Sequence, residues 1–127
     1  MASTVEYGTY IIDLSTAMLE NPRGLTNAQG HRIIVIRRQA VNFLTDYMRH
    51  ESSALPDLLS YLSKDAARPL SMLVNSCDMI LNGSCGTVQQ DYGEAITEIR
   101  DCAIAMYEDI EDMRQNLEQF MSNLGMV

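Results

Sequence analysis

His31 and His50 are the two histidines of this chain. A neutral imidazole nitrogen is the natural group to accept a phosphoryl group or move a proton near neutral pH. Both fall in one helical stretch, His31 in its first turns and His50 near its end, so both are expected to face solvent. Neither has a Glu three residues before it, so the Glu-x-x-His pairs of a di-iron bundle are missing. Cys77, Cys85 and Cys102 are odd in number, form no C-x-x-C pair and have no His at ligand spacing. That argues against a zinc site and a disulfide framework, and it fits a reducing cytoplasm. With no Gly-rich phosphate-cradling loop, ATP binding is not expected, nor is any cofactor.

Composition narrows the classes further. A 127-residue chain with 46% apolar residues is long enough to bury one core. Two Phe, no Trp and three Pro stand against nine Met, with abundant Leu, Ala, Glu and Gln, which favours helix over sheet. The formal charge of −8 sits in one half. Residues 1–51 hold five acids and five arginines, whereas residues 52–127 hold twelve acids against Lys64, Arg68, Arg100 and Arg114. Such a half repels a phosphate backbone, so nucleic acid is not an expected partner. No signal peptide and no apolar run of about 18 residues is visible, so membrane insertion is not expected and the cytoplasm is the expected compartment.

Four helical segments must position these residues. The first spans about Thr4 to Glu20, with Tyr7, Ile11, Leu14 and Met18 as its apolar stripe, and Asn21-Pro22-Arg23-Gly24 breaks it. Thr26-Asn27-Ala28-Gln29 is a capping-box pattern. It opens a second helix to His50, with Ile33, Ile36, Ala40, Phe43, Leu44 and Tyr47 inward. The Arg37-Arg38 pair is expected to reach along the surface or bridge to the acidic last helix. A third helix runs from about Leu55 to Leu81 on Leu58, Leu59, Leu62, Ala66, Leu70, Leu73, Cys77 and Ile80, kinked near Asp65 by Pro69. After Asn82-Gly83-Ser84-Cys85-Gly86, a second Thr-x-x-Gln box at Thr87 opens the longest helix, about Val88 to Leu124. Its seam is Tyr92, Ile96, Ile99, Ala103, Met106, Ile110, Met113, Leu117 and Phe120. The methionines, at helical spacing, are expected to fill the core.

The chain thus reads as all-α, a single domain over 1–127 forming an up-down antiparallel four-helix bundle. Hairpin 1 covers about 4–50 and hairpin 2 about 55–124. The two look like copies of one unit. The Thr-x-x-Gln boxes lie 61 residues apart, as do Met18 and Met79, while Ile33/Ile96, Ile36/Ile99 and Ala40/Ala103 align at 63.

From Leu62 the chain reads Leu-Ser-Lys-Asp-Ala-Ala-Arg-Pro-Leu. This resembles the phosphoacceptor box L-S-H-E-L-R-T-P-L of the dimerisation and histidine-phosphotransfer domain of sensor histidine kinases. Leu62, Ser63, Pro69 and Leu70 match in place, and Asp65 keeps the acid that follows the histidine. Met79-Ile80-Leu81-Asn82-Gly83 is similar to the end of that family's first helix. In the first half, Ala17-Met18-Leu19-Glu20 and Leu25-Thr26 with Gln29 are similar to its helix end and helix start, which sets Ser3 at the histidine position and Gly8 at the proline position. Lys64 stands where the phosphorylated histidine belongs, and an ammonium does not replace a neutral imidazole as nucleophile. A His followed by Lys-Gly, as in stand-alone phosphotransfer proteins, is also missing.

The resemblance therefore implies a degenerate, non-catalytic member, a signalling module that binds a response-regulator receiver domain or a sensor kinase. It places the partner surface on Lys64, Asp65, Arg68, Met72 and Ser76, beside Cys77. Kinases of this family build a bundle from two hairpins of a dimer, which one chain with two hairpins would imitate; pairing with a second copy remains open. The alternative is a histidine phosphotransferase using His31 or His50.

Overall fold

Apolar stripes at three- and four-residue spacing give this chain four limbs made of five helices. The computed structural model describes residues 3–125. Its helices are α1 (Thr4–Glu20), α2 (Asn27–His50), α3 (Leu55–Lys64), α4 (Ala67–Leu81) and α5 (Gln90–Asn123). No strand occurs among the described residues. α1 packs on α2 and α5, and α4 packs on the same two, while α3 lies mainly on α5. Thr4 bonds to Asp109, Tyr10 to Glu98 and Tyr92 to the Arg23 carbonyl, so α1 and α5 run antiparallel. The architecture is an up-down antiparallel four-helix bundle. No helix among the described residues is long and apolar enough to cross a membrane.

α1 starts where the Ser3 hydroxyl accepts from the Glu6 N–H at 3.1 Å. Its inward stripe is Thr4, Gly8, Ile11, Ser15 and Met18. The expected Tyr7 and Leu14 are only half-buried on its flank. Small residues won these positions because α1 approaches α2 closely: a Cβ on Gly8 would lie 2.7 Å from the Leu44 side chain. The Ser15 hydroxyl, fully buried, donates to the Ile11 carbonyl at 2.7 Å and so leaves no unpaired group.

α2 follows the sequence reading closely. Thr26 and Gln29 form the capping box, and Ile33, Ile36, Ala40, Phe43, Leu44 and Tyr47 are all buried. The third limb does not. In place of a kink there is a full break at Asp65 and Ala66, which separates α3 from α4. Pro69 has no N–H for the Asp65 carbonyl, which takes the Arg68 N–H at a long 3.4 Å instead. The Tyr61 carbonyl meanwhile accepts from both Asp65 and Ala66, at 2.9 and 3.0 Å. The helix loses its register within one turn.

The second capping box does not form. α5 begins after Gln89, which makes no side-chain cap bond. Thr87 is held elsewhere, because its carbonyl and that of Gly86 accept from the Gln29 amide at 3.1 and 3.3 Å. The Thr26 hydroxyl donates to the Cys85 carbonyl at 2.6 Å, so α2's cap binds the α4–α5 loop. At the far end of α5, Met121 is buried and Phe120 is 52% exposed, one residue out of the expected seam.

The two hairpins share a plan whose registers differ by limb. Thr4, Gly8, Ile11, Ser15 and Met18 match the buried Ala66, Leu70, Leu73, Cys77 and Ile80 at an offset of 62. This pairs Met18 with Ile80 rather than Met79, and it moves Ser3 and Gly8 off the Lys64 and Pro69 positions. α2 and α5 match at 63, where their N-caps Thr26 and Gln89 also coincide. The extra residue lies in the α4–α5 connection.

Candidate functional site

The break between α3 and α4 is an elbow on the bundle surface, and four of the five sequence-indicated residues gather there. Lys64 ends α3, Asp65 caps it, and Arg68 follows in the first turn of α4; all three are exposed. Met72, one turn beyond Arg68, is 47% exposed and so is not core. Ser76 corrects the expectation: it is 2% exposed and faces the interior beside the buried Cys77. Within α4 it stands three residues after the buried Leu73 and four before the buried Ile80, so it shares their inward face. Lys64, Asp65 and Arg68 make no ion pair with another described residue.

Inside the elbow lies a cleft of about 370 Å³ between the end of α2 and the start of α4. Asp46, Arg49 and His50 line it from α2, Tyr61 from α3, and Asp65 and Arg68 from the break. His50 is not a free surface histidine. Its ring stacks on Tyr61, centroids 4.1 Å apart and planes 3° apart, and its Nδ1 lies 2.8 Å from the Asp46 carbonyl. A carbonyl only accepts, so Nδ1 carries the proton and Nε2 is left with the lone pair. Arg49 and Asp46 pair at 2.9 Å on the rim, a solvated contact of small energetic weight.

Tyr61 was outside the apolar stripe read from the sequence, yet it is 4% exposed and its hydroxyl has no hydrogen-bond partner. Burial raises its pKa above the ordinary phenol value; Asp46, Tyr47 and Asp65 add to the rise, and Arg49 opposes it. Its contact with His50 joins α3 to the end of α2, and periodicity within one helix carries no signal of it.

The remaining candidates stand apart. His31 is exposed near the start of α2, about 29 Å along the helix from His50, so the two histidines do not cooperate. Cys77 is fully buried and burial, helped by Asp78 against Arg100, pushes its thiol up to about 12. No group of His, Cys, Asp and Glu among the described residues is arranged to hold a metal. Arg37 donates to the Thr16 hydroxyl at 2.8 Å and does not bridge to α5, which lies diagonally across the bundle. The arginines of the acidic helix are its own: Arg100 reaches across to Asp78 of α4 at 2.6 Å, and Arg114 meets Glu111 and Glu118 within α5. The methionines divide, with Met18, Met106 and Met121 buried and Met48 and Met72 exposed.

Compared with protein-family models, curated proteins and solved structures, the chain matches none.

Proposed function

We propose that this protein is a non-catalytic interaction module that docks a signalling partner on the α3–α4 elbow. One observation carries the reading: Met72, a large apolar side chain 47% exposed, stands one turn from the unpaired Arg68, on the limb whose break also exposes the unpaired Lys64 and Asp65. An exposed apolar group ringed by unpaired charge is the usual make-up of a recognition face. The stretch Leu62-Ser63-Lys64-Asp65 with Pro69-Leu70, similar to the histidine-kinase phosphoacceptor box, supports a receiver domain or a sensor kinase as the partner. Lys64 gives the elbow a charge and no phosphoryl chemistry. A cytoplasmic setting suits the three free thiols.

The test is capture with wild type, Arg68→Glu and Met72→Asp, after circular dichroism shows both variants folded. A receiver domain or kinase retained by wild type and lost by both variants supports the reading. Equal capture by all three places the binding face elsewhere.

A second reading, phosphoryl transfer through His50, is favoured by the Nδ1–H bond to the Asp46 carbonyl. That bond leaves Nε2 as the free nucleophilic nitrogen. Incubation with a phosphorylated receiver domain and detection of phosphohistidine in wild type but not His50→Ala would replace the docking reading with this one.

A further inference from the structure

We propose that this chain associates with copies of itself head to tail, the outer face of α2 on one copy docking on the outer face of α5 on the next. The elbow takes no part in this contact, so the inference does not rest on the docking reading. On the outer side of α2, Ile34, Val41 and Met48 recur every seven residues, which sets them on one stripe. Ile34 is 42% exposed and Met48 55%, so the stripe is apolar surface left in water. Arg37 and Arg38 flank it, both exposed, and neither makes an ion pair with another described residue. α2 as a whole carries four arginines against Asp46. In α5 the balance is reversed, with nine acids against two arginines. Its exposed Asp101, Glu108 and Asp112 share one outer side and form no ion pair with another described residue. Glu108 and Asp112, four residues apart, repel each other there and gain from any cation brought to them.

The two faces are complementary, and that selects a second copy as the occupant. Arg38 and Arg49 stand eleven residues apart, as do Asp101 and Asp112, which is about 16 Å along either helix. At the 63-residue offset that relates α2 to α5, Arg38 coincides with Asp101 and Arg49 with Asp112. The two hairpins thus carry opposite charge at equivalent points. Arg49 also meets Asp46 of its own helix at 2.9 Å, a solvated pair that competes weakly. The apolar stripe has a counterpart too. A groove of about 350 Å³ between α4 and α5 is lined by Val74, Ile104 and Tyr107, and Ile104 stands three residues from Asp101 and four from Glu108. It offers Ile34 or Met48 of another copy a place out of water. Within one molecule the faces cannot meet, because α2 and α5 are diagonally opposed. A copy that docks its α5 keeps its own α2 free, so the contact does not close and repeats into short chains. One helix face per partner is a small interface, so the association is weak and grows with concentration.

The experiment is sedimentation velocity of the whole chain up to about 1 mM, with mass action driving assembly. The average mass should rise past that of a dimer, and raising salt from about 50 to 500 mM should weaken the association about tenfold. Two charge-reversed variants then locate the contact, Arg38→Glu with Arg49→Glu, and Asp101→Arg with Asp112→Arg, each checked for fold by circular dichroism. The first has two acidic faces and the second two basic ones, so each alone should stay monomeric and their mixture should associate. Both variants keep a net negative charge, so general attraction between unlike molecules does not join them. Amide NMR of wild type should show concentration-dependent shifts on the outer residues of α2 and α5. The proposal is overturned if wild type stays monomeric, if growth stops at a two-fold dimer, or if salt leaves the association unchanged. It is equally overturned if the mixed variants fail to associate or if the shifts fall on other helices, and the wild-type measurements decide the matter should a variant not fold.

Discussion

The side-chain amide of Gln29 meets the carbonyl of Thr87 at 3.1 Å, joining positions 58 residues apart. The same carboxamide accepts from the Thr26 N–H at 2.9 Å, so one buried side chain caps α2 and anchors the α4–α5 loop. Gln29→Ala removes both roles and leaves the Gly86 and Thr87 carbonyls short of a donor. A loss of about 2–4 kcal/mol in urea unfolding is expected. Gln29→Glu keeps the acceptor toward Thr26 and loses the donors, so comparing the two separates cap from anchor.

Gly8 sets the distance between α1 and α2. Adding a Cβ there meets the γ and both δ carbons of Leu44 at 2.7–2.9 Å. Gly8→Val should therefore destabilise the bundle by about 1–3 kcal/mol, despite leaving a poor helix former. In a Leu44→Ala background the cost should shrink. A double-mutant cycle by chemical denaturation reads the coupling.

Alkaline stability should report Cys77. Its folded thiol is pushed from 9.0 up to about 12, so between those values the unfolded chain loses a proton that the folded one keeps. Stability from this group is complete below 9.0 and falls as pH rises toward 12, by up to about 4 kcal/mol. Denaturation midpoints of wild type and Cys77→Ala should converge across that range. In the native state thiol reagents should reach the half-buried Cys102 before Cys77 or Cys85.

Pro69→Ala restores an N–H that can reach the Asp65 carbonyl. The expected result is a rise in helical circular dichroism at unchanged fold, and slower amide exchange at residues 65–69, as the elbow tightens toward a continuous helix. Unchanged exchange there would show that packing of Tyr61, rather than Pro69, holds the break open.

The bundle was legible in the sequence because four amphipathic stripes and two Gly/Pro breaks leave few alternatives. α2 shows this best: its box, its stripe and its end at His50 all agree with the structure. The failures are tertiary. Gly8 and Ser15 are inward because two helices meet closely, which a search for large apolar residues passes over. Thr87 had the right residues for a cap and lost its carbonyl to a distant glutamine. At the candidate site, the resemblance to the phosphoacceptor box put Lys64, Asp65, Arg68 and Met72 on an outer face, and all four are exposed, Met72 against the expectation that methionines fill the core. Ser76 was misplaced because a small polar residue beside the apolar stripe reads as outward-facing, whereas it stands one turn from Leu73 and Ile80 and shares their buried face. The cleft itself, with Tyr61 against His50, had no local signal, since it exists only where the end of α2 meets α3.

That stacked pair also gives the molecule an optical property. The chain has six tyrosines and no tryptophan, so its ultraviolet emission comes from tyrosine alone. An imidazole lying 4.1 Å over the Tyr61 ring is placed to quench that fluorophore by direct contact. Opening of the elbow separates the rings and brightens the protein, so movement at this corner can be followed in unlabelled material by the light it emits.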